Sequence, residues 1–80
     1  MNMGQWEKDS YERYSGPILD ILSDGGWYTG DQIKTIILGH VRSRHDSLSV
    51  ALALGVLHAR KMIEQRIIEE DGLVKDFRYR

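Results

Sequence analysis

The sequence predicts an α+β domain: three helices followed by a C-terminal β-hairpin, with a short N-terminal arm or helix in front. Two observations carry this. Apolar residues recur at helical spacing in three segments, each closed by a glycine or opened by a capping residue. After the third segment, Asp71-Gly72 sits between two stretches rich in β-branched and aromatic residues. That dipeptide favours a two-residue turn whose positions both need positive φ.

Met1 to Gly16 places Trp6, Tyr11 and Tyr14 among charges and reads as a short helix or an arm that docks on the body or on a second subunit. Ser15-Gly16-Pro17 interrupts the pattern, and proline suits the first position of a helix, so the first core helix is expected to start at Pro17. The chain thus divides into residues 1–16 and a domain over 17–80. Ile18, Leu19, Ile21 and Leu22 give that helix its apolar face, and Asp24-Gly25-Gly26 stops it. Trp27 and Tyr28 read as extended. Thr29 with Gln32 three residues on forms a capping box for the second helix, in which Ile33, Ile36 and Ile37 face a core and Gly39 ends the run. His40 to His45 is a polar connection. Asp46 or Ser47 can cap a third helix running from about Ser47 to Lys61. A two-residue turn at Asp71-Gly72 pairs Glu70 with Leu73, Ile68 with Lys75 and Arg66 with Phe77, and puts Leu73, Phe77 and Tyr79 on one face.

Composition narrows the function. Eighty residues make one domain with a small core, which oligomerisation would reinforce. No cysteine is present, so disulfides, thiolate catalysis and cysteine-bound zinc are excluded. No apolar run approaches the ~20 residues of a membrane span, and the polar N-terminus does not read as a secretory signal, so a cytoplasmic protein without a membrane partner is expected. His40, His45 and His58 do not have a ligand spacing, and no nucleophile–base grouping or phosphate loop stands out. Neither an enzyme, a cofactor nor a metal site is expected. The net charge is −1, unlike the basic surplus of most nucleic-acid binders. The charge is segregated: residues 1–24 carry a net −3, residues 25–62 a net +3, and residues 63–80 a net −1.

The order helix, short strand, helix, helix, hairpin is that of a winged helix-turn-helix. Val50, Ala53, Leu54, Leu57, Met62 and Ile63, followed by Arg66 and a strand–Asp-Gly–strand, resemble the third helix and wing of MarR-like and related small bacterial and archaeal regulators. Gly25-Gly26-Trp27-Tyr28-Thr29-Gly30 resembles their link between the first two helices. The resemblance covers Pro17 to Arg80, 64 of the 80 residues. One departure is Lys61, where such proteins usually have glycine. The resemblance implies a dimeric transcriptional regulator whose third helix enters the major groove of double-stranded DNA.

At 100° per residue, however, that helix has Val50, Ala53, Leu54 and Leu57 on its core side and Leu48, Ala51, Leu52, Gly55, Val56 and Ala59 opposite. Between Leu48 and Leu57 its only polar side chain is Ser49. A helix apolar all round is normally covered all round. Two functions therefore stand side by side. In the first, Arg42, Arg44, His45, Ser47, Ser49 and Lys75 contact DNA, although the loop can equally be solvated and Lys75 and Arg78 can pair with wing carboxylates. The acidic tip Glu69-Glu70-Asp71 would repel phosphate. In the second, Leu48, Leu52 and Val56, with Ala51 and Gly55 at close approach, form a protein interface. The partner is then a second copy, or a foreign protein, as for small phage and mobile-element proteins that inhibit host defence complexes.

Overall fold

The computed structural model describes residues 4–80. Three helices, α1 (Gln5–Leu22), α2 (Gly30–Leu38) and α3 (Arg44–Ala59), accompany strands β1 (Tyr28–Thr29), β2 (Gln65–Glu70) and β3 (Leu73–Tyr79). The strands form one antiparallel sheet in the order β1-β3-β2. This small α+β architecture is compatible with a winged helix.

The first helix departs from the sequence reading. It does not begin at Pro17 but runs unbroken through Ser15-Gly16-Pro17, with Pro17 inside it. Residues 5–16 and 17–22 are therefore one element. Ser10, Tyr14, Ile18 and Leu22 explain this: their i, i+4 spacing makes one buried stripe that crosses the proline. The usual penalties are also softened. Gly16 has no Cβ to clash with the proline ring, and the proline's missing N–H faces the exposed side of the helix. Tyr11 and Tyr14 dock on the body, while Trp6 is only partly covered. Met1 lies outside the described residues.

The α1 end is closed by Gly25 at φ 77°. There the Asp24 carboxylate accepts from the Gly26 N–H at 2.8 Å and from the Tyr28 hydroxyl. These bonds hold the Asp24 carboxyl below its usual range, the Tyr28 hydroxyl contributing most, and raise the tyrosine's own pKa. The capping box of α2 is formed in full: Gln32 N–H donates to Thr29 Oγ1 at 3.0 Å and Thr29 N–H to Gln32 Oε1 at 2.8 Å. Gly39, at φ 84°, ends the helix. Ile33 is fully buried and Ile37 partly so, but Ile36 is 57% exposed, because the covering elements reach only the Ile33–Ile37 side of this short helix.

The third helix starts earlier than expected. Ser43, not Asp46 or Ser47, is its cap, and the Asp46 N–H donates to Ser43 Oγ at 3.1 Å. Arg44 and His45 thus belong to the helix. Its C-terminus is a Schellman motif: Met62 N–H donates to the Leu57 carbonyl at 3.0 Å and Lys61 N–H to that of His58 at 2.9 Å. Lys61 takes the left-handed conformation at φ 60°, where glycine is the ordinary occupant.

The hairpin turns at Asp71 (φ 55°) and Gly72 (φ 78°), and Glu70 pairs with Leu73 as expected. Two residues later the register changes. Glu69 pairs with Val74 and Ile68 with Asp76, leaving Lys75 as the extra residue of a β-bulge. Ile68 therefore does not face Lys75, and Arg66 faces Arg78 instead of Phe77. The bulge also moves Leu73 to the face opposite Phe77 and Tyr79. Leu73 is exposed, whereas Tyr79 enters the core. Burial pushes the Tyr79 hydroxyl up in pKa, opposed by the bond it accepts from Gln65 Nε2.

That core joins Tyr14, Ile18 and Leu22 of α1, Ile33 of α2, Val50, Ala53, Leu54 and Leu57 of α3, Ile63, and Tyr79 of β3. Burying one such aliphatic side chain contributes about 1.5–3 kcal/mol. The strain at Lys61 gives a direct test. Lys61→Gly should raise the unfolding free energy by ~0.5–1 kcal/mol in urea denaturation, the relief of left-handed strain outweighing the added freedom of the unfolded chain. An unchanged midpoint would contradict the strain.

Candidate functional site

α3 carries both groups of candidate residues, and its packing decides which of them reach solvent. Val50, Ala53, Leu54 and Leu57 point into the core. Ser49 is also turned inward, at 5% exposure, on the side where α1 contributes the buried Ser10. Ser49 therefore faces the cleft between α1 and α3 and not the outer side of the helix.

Arg42 is likewise committed. Its guanidinium donates through Nη1 to Thr35 Oγ1 at 3.0 Å and to the Gly39 carbonyl at 3.1 Å. Through Nη2 it meets Asp31 Oδ1 at 2.6 Å, and its side chain is only 18% exposed. One side chain thus ties the first turn of α2 to its last and fixes the α2–α3 connection. It is a structural clamp and has no free fork for phosphate.

Lys75, in the bulge, pairs with Glu70 Oε2 at 2.7 Å on the exposed wing. Arg44 is exposed on the first turn of α3 and takes part in no ion pair among the described residues. His45, also exposed, sits against the Trp6 ring at a centroid distance of 5.8 Å. These two rings and Ser49 line a cleft with Asp9, Arg13 and Asp46 between α1 and the start of α3. Ser47 is partly buried. Of the six residues expected at DNA, only Arg44 and His45 stand together and open to solvent.

The apolar set is placed differently. Leu48 is 50% exposed, Ala51, Leu52 and Val56 are partly covered, and Gly55 is open. A Cβ built on Gly55 meets nothing within 4 Å. Helical geometry puts Leu48, Leu52, Gly55, Val56 and Ala59 along one side of the helix. Arg44 and His45 lie at its N-terminal end, and His58, Arg60 and Lys61 at its C-terminal end. Arg60 itself lies over the Tyr11 ring, 4.5 Å from its centroid.

A second charged surface follows from the bulge. Arg66 and Arg78 are direct cross-strand partners, and Arg78 is also flanked by Thr29 on β1. Arg66 lies over the Trp27 ring at 4.5 Å, and Arg80 lies over the same ring at 4.8 Å. Glu64 pairs with Arg80 at 3.1 Å. Simple alternation from the turn sets Arg66 opposite Phe77, so this grouping is invisible without the extra residue at Lys75.

Among the described residues, no three His, Cys, Asp or Glu side chains converge as metal ligands would, and no helix is long and apolar enough to cross a membrane. Comparison with protein-family models, with curated proteins and with solved structures finds no match for this chain.

The Arg42 clamp makes a clear prediction. Arg42→Ala should cost ~1–2 kcal/mol of stability in urea denaturation, since its bonds are charge-assisted but one partner, Asp31, is exposed. A loss of phosphate affinity at unchanged stability would assign Arg42 to a ligand instead.

Proposed function

We propose that this chain is a winged helix-turn-helix domain that acts as a protein-binding module, its partner being a second copy seated on the outer face of α3. One observation carries the reading: the side of α3 facing away from the core offers Leu48, Leu52, Gly55 and Val56, while its one interior polar residue, Ser49, is buried. A helix placed to read base edges needs hydrogen-bonding side chains on that side.

Two features favour a second copy as the occupant. Gly55 leaves open space in the middle of the face, so small residues can meet across a two-fold axis, as a self-complementary interface requires. A net charge of only −1 sets no strong field against association.

A second reading, a dimeric DNA-binding regulator, is favoured by Arg44 and His45, exposed together at the first turn of α3. The two readings separate by experiment. Light scattering across a range of concentrations should give twice the chain mass, and Leu52→Glu should reduce it to one. Gly55→Gln is the companion variant. It should stabilise the isolated helix by ~0.7 kcal/mol, yet weaken assembly by filling the close-approach point. A wild-type chain that stays monomeric at high concentration, or variants that keep the wild-type mass, would overturn the reading. Salt-sensitive binding of duplex DNA that is lost in Arg44→Ala would establish the second.

A further inference from the structure

From the outer face of the sheet we infer a binding site for a phosphate monoester dianion, formed by Arg66 and Arg80 on the Trp27 ring and by Arg78, the cross-strand partner of Arg66. This surface is separate from α3 and does not depend on the assembly proposed above.

Like charges directly opposite on neighbouring strands repel and destabilise a sheet. Arg66 and Arg78 nevertheless occupy such a pair. The ion pairs of the described residues are Arg42–Asp31, Lys75–Glu70 and Arg80–Glu64, so neither Arg66 nor Arg78 is neutralised by a neighbour. Departures from local sequence rules of this kind concentrate at functional sites.

The groups are also held in place. Trp27 carries the guanidinium groups of Arg66 and Arg80 on its ring, which limits the freedom each loses on binding. The strands beneath fix Arg78 between Thr29 and Arg66. A guanidinium offers a planar fork that matches two oxygens of one phosphate.

The charge identifies the ligand. Glu64 neutralises Arg80, and the neighbouring Asp76 carboxylate is engaged by the Asp31 and Phe77 N–H groups, so the two arginines without an ion pair, Arg66 and Arg78, present a charge of +2, which matches a phosphate monoester of charge ~−1.5 to −2 near neutral pH better than a single carboxylate or a phosphodiester. The Trp27 ring is already occupied by guanidinium groups, so it has little surface left on which a base can stack. The site therefore recognises the phosphate group and not a nucleobase.

Titration of the full chain with inorganic phosphate, read by Trp27 fluorescence in a Trp6→Phe background, tests this. A saturable change is expected. Arg66→Ala and Arg78→Ala should each weaken it about fivefold, the upper range for an exposed charged pair, with Arg44→Ala unchanged. The melt of Arg78→Ala should match or exceed the parent, because it removes a like-charge repulsion, and that of Arg66→Ala, which also gives up its contact with Trp27, should stay close to it. A parallel titration uses a duplex oligonucleotide with 5′-hydroxyl ends, which presents only phosphodiesters. Phosphate binding tighter than duplex binding per site supports the assignment. Duplex binding that is tighter, absence of a saturable phosphate response, or equal weakening by Arg44→Ala would overturn it. Leu52→Glu should leave the phosphate response intact, so failure of the α3 assembly and failure of this site are distinguishable.

Discussion

The contact between α1 and α3 is the constraint from which most other features follow. Ser10, Tyr14, Ile18 and Leu22 form a single stripe on α1, and it meets the side of α3 that carries Ser49, Val50, Ala53, Leu54 and Leu57. That stripe carries α1 through Pro17, because the tertiary burial of Tyr14 and Ile18 outweighs one lost backbone hydrogen bond on the solvent side. The same contact rotates α3 so that Ser49 faces inward and Leu48, Leu52, Gly55 and Val56 face outward. The chemistry available on the outer surface of α3 is thus decided by what α1 covers.

Much of this was legible in the residues. Thr29 with Gln32, Gly39, and Asp71-Gly72 each act through local chemistry, and each occurs where its chemistry predicts. The core positions of α3 also follow from period alone. Pro17 marks the wrong start because a local rule about helix starts competes with a buried stripe four residues apart, and only the packed structure shows which is stronger. Ser43 is not legible as the cap from periodicity, because the first turn it caps, Arg44 to Asp46, has no apolar residue.

The site was less legible, for two physical reasons. The fate of an arginine depends on acceptors that sequence distance hides: Arg42 reaches Asp31, eleven residues earlier, across a full helix. The register of a hairpin depends on every residue between the turn and the pair in question. One bulged residue, Lys75, moves Arg66 from Phe77 to Arg78 and creates the arginine pair beside Trp27. Neither event leaves a periodic or compositional trace.

The two proposals give α3 and the sheet separate tasks, the helix meeting a second copy through apolar contact and the sheet a phosphate through charge. The claim about α3 is the central one. It is tested most directly by isotope-filtered NMR on a mixture of labelled and unlabelled chains. Intermolecular contacts from the methyl groups of Leu48, Leu52 and Val56 to a second copy are predicted. Methyl groups that show contacts only within their own chain at high concentration, and that shift on addition of duplex DNA, would contradict the account.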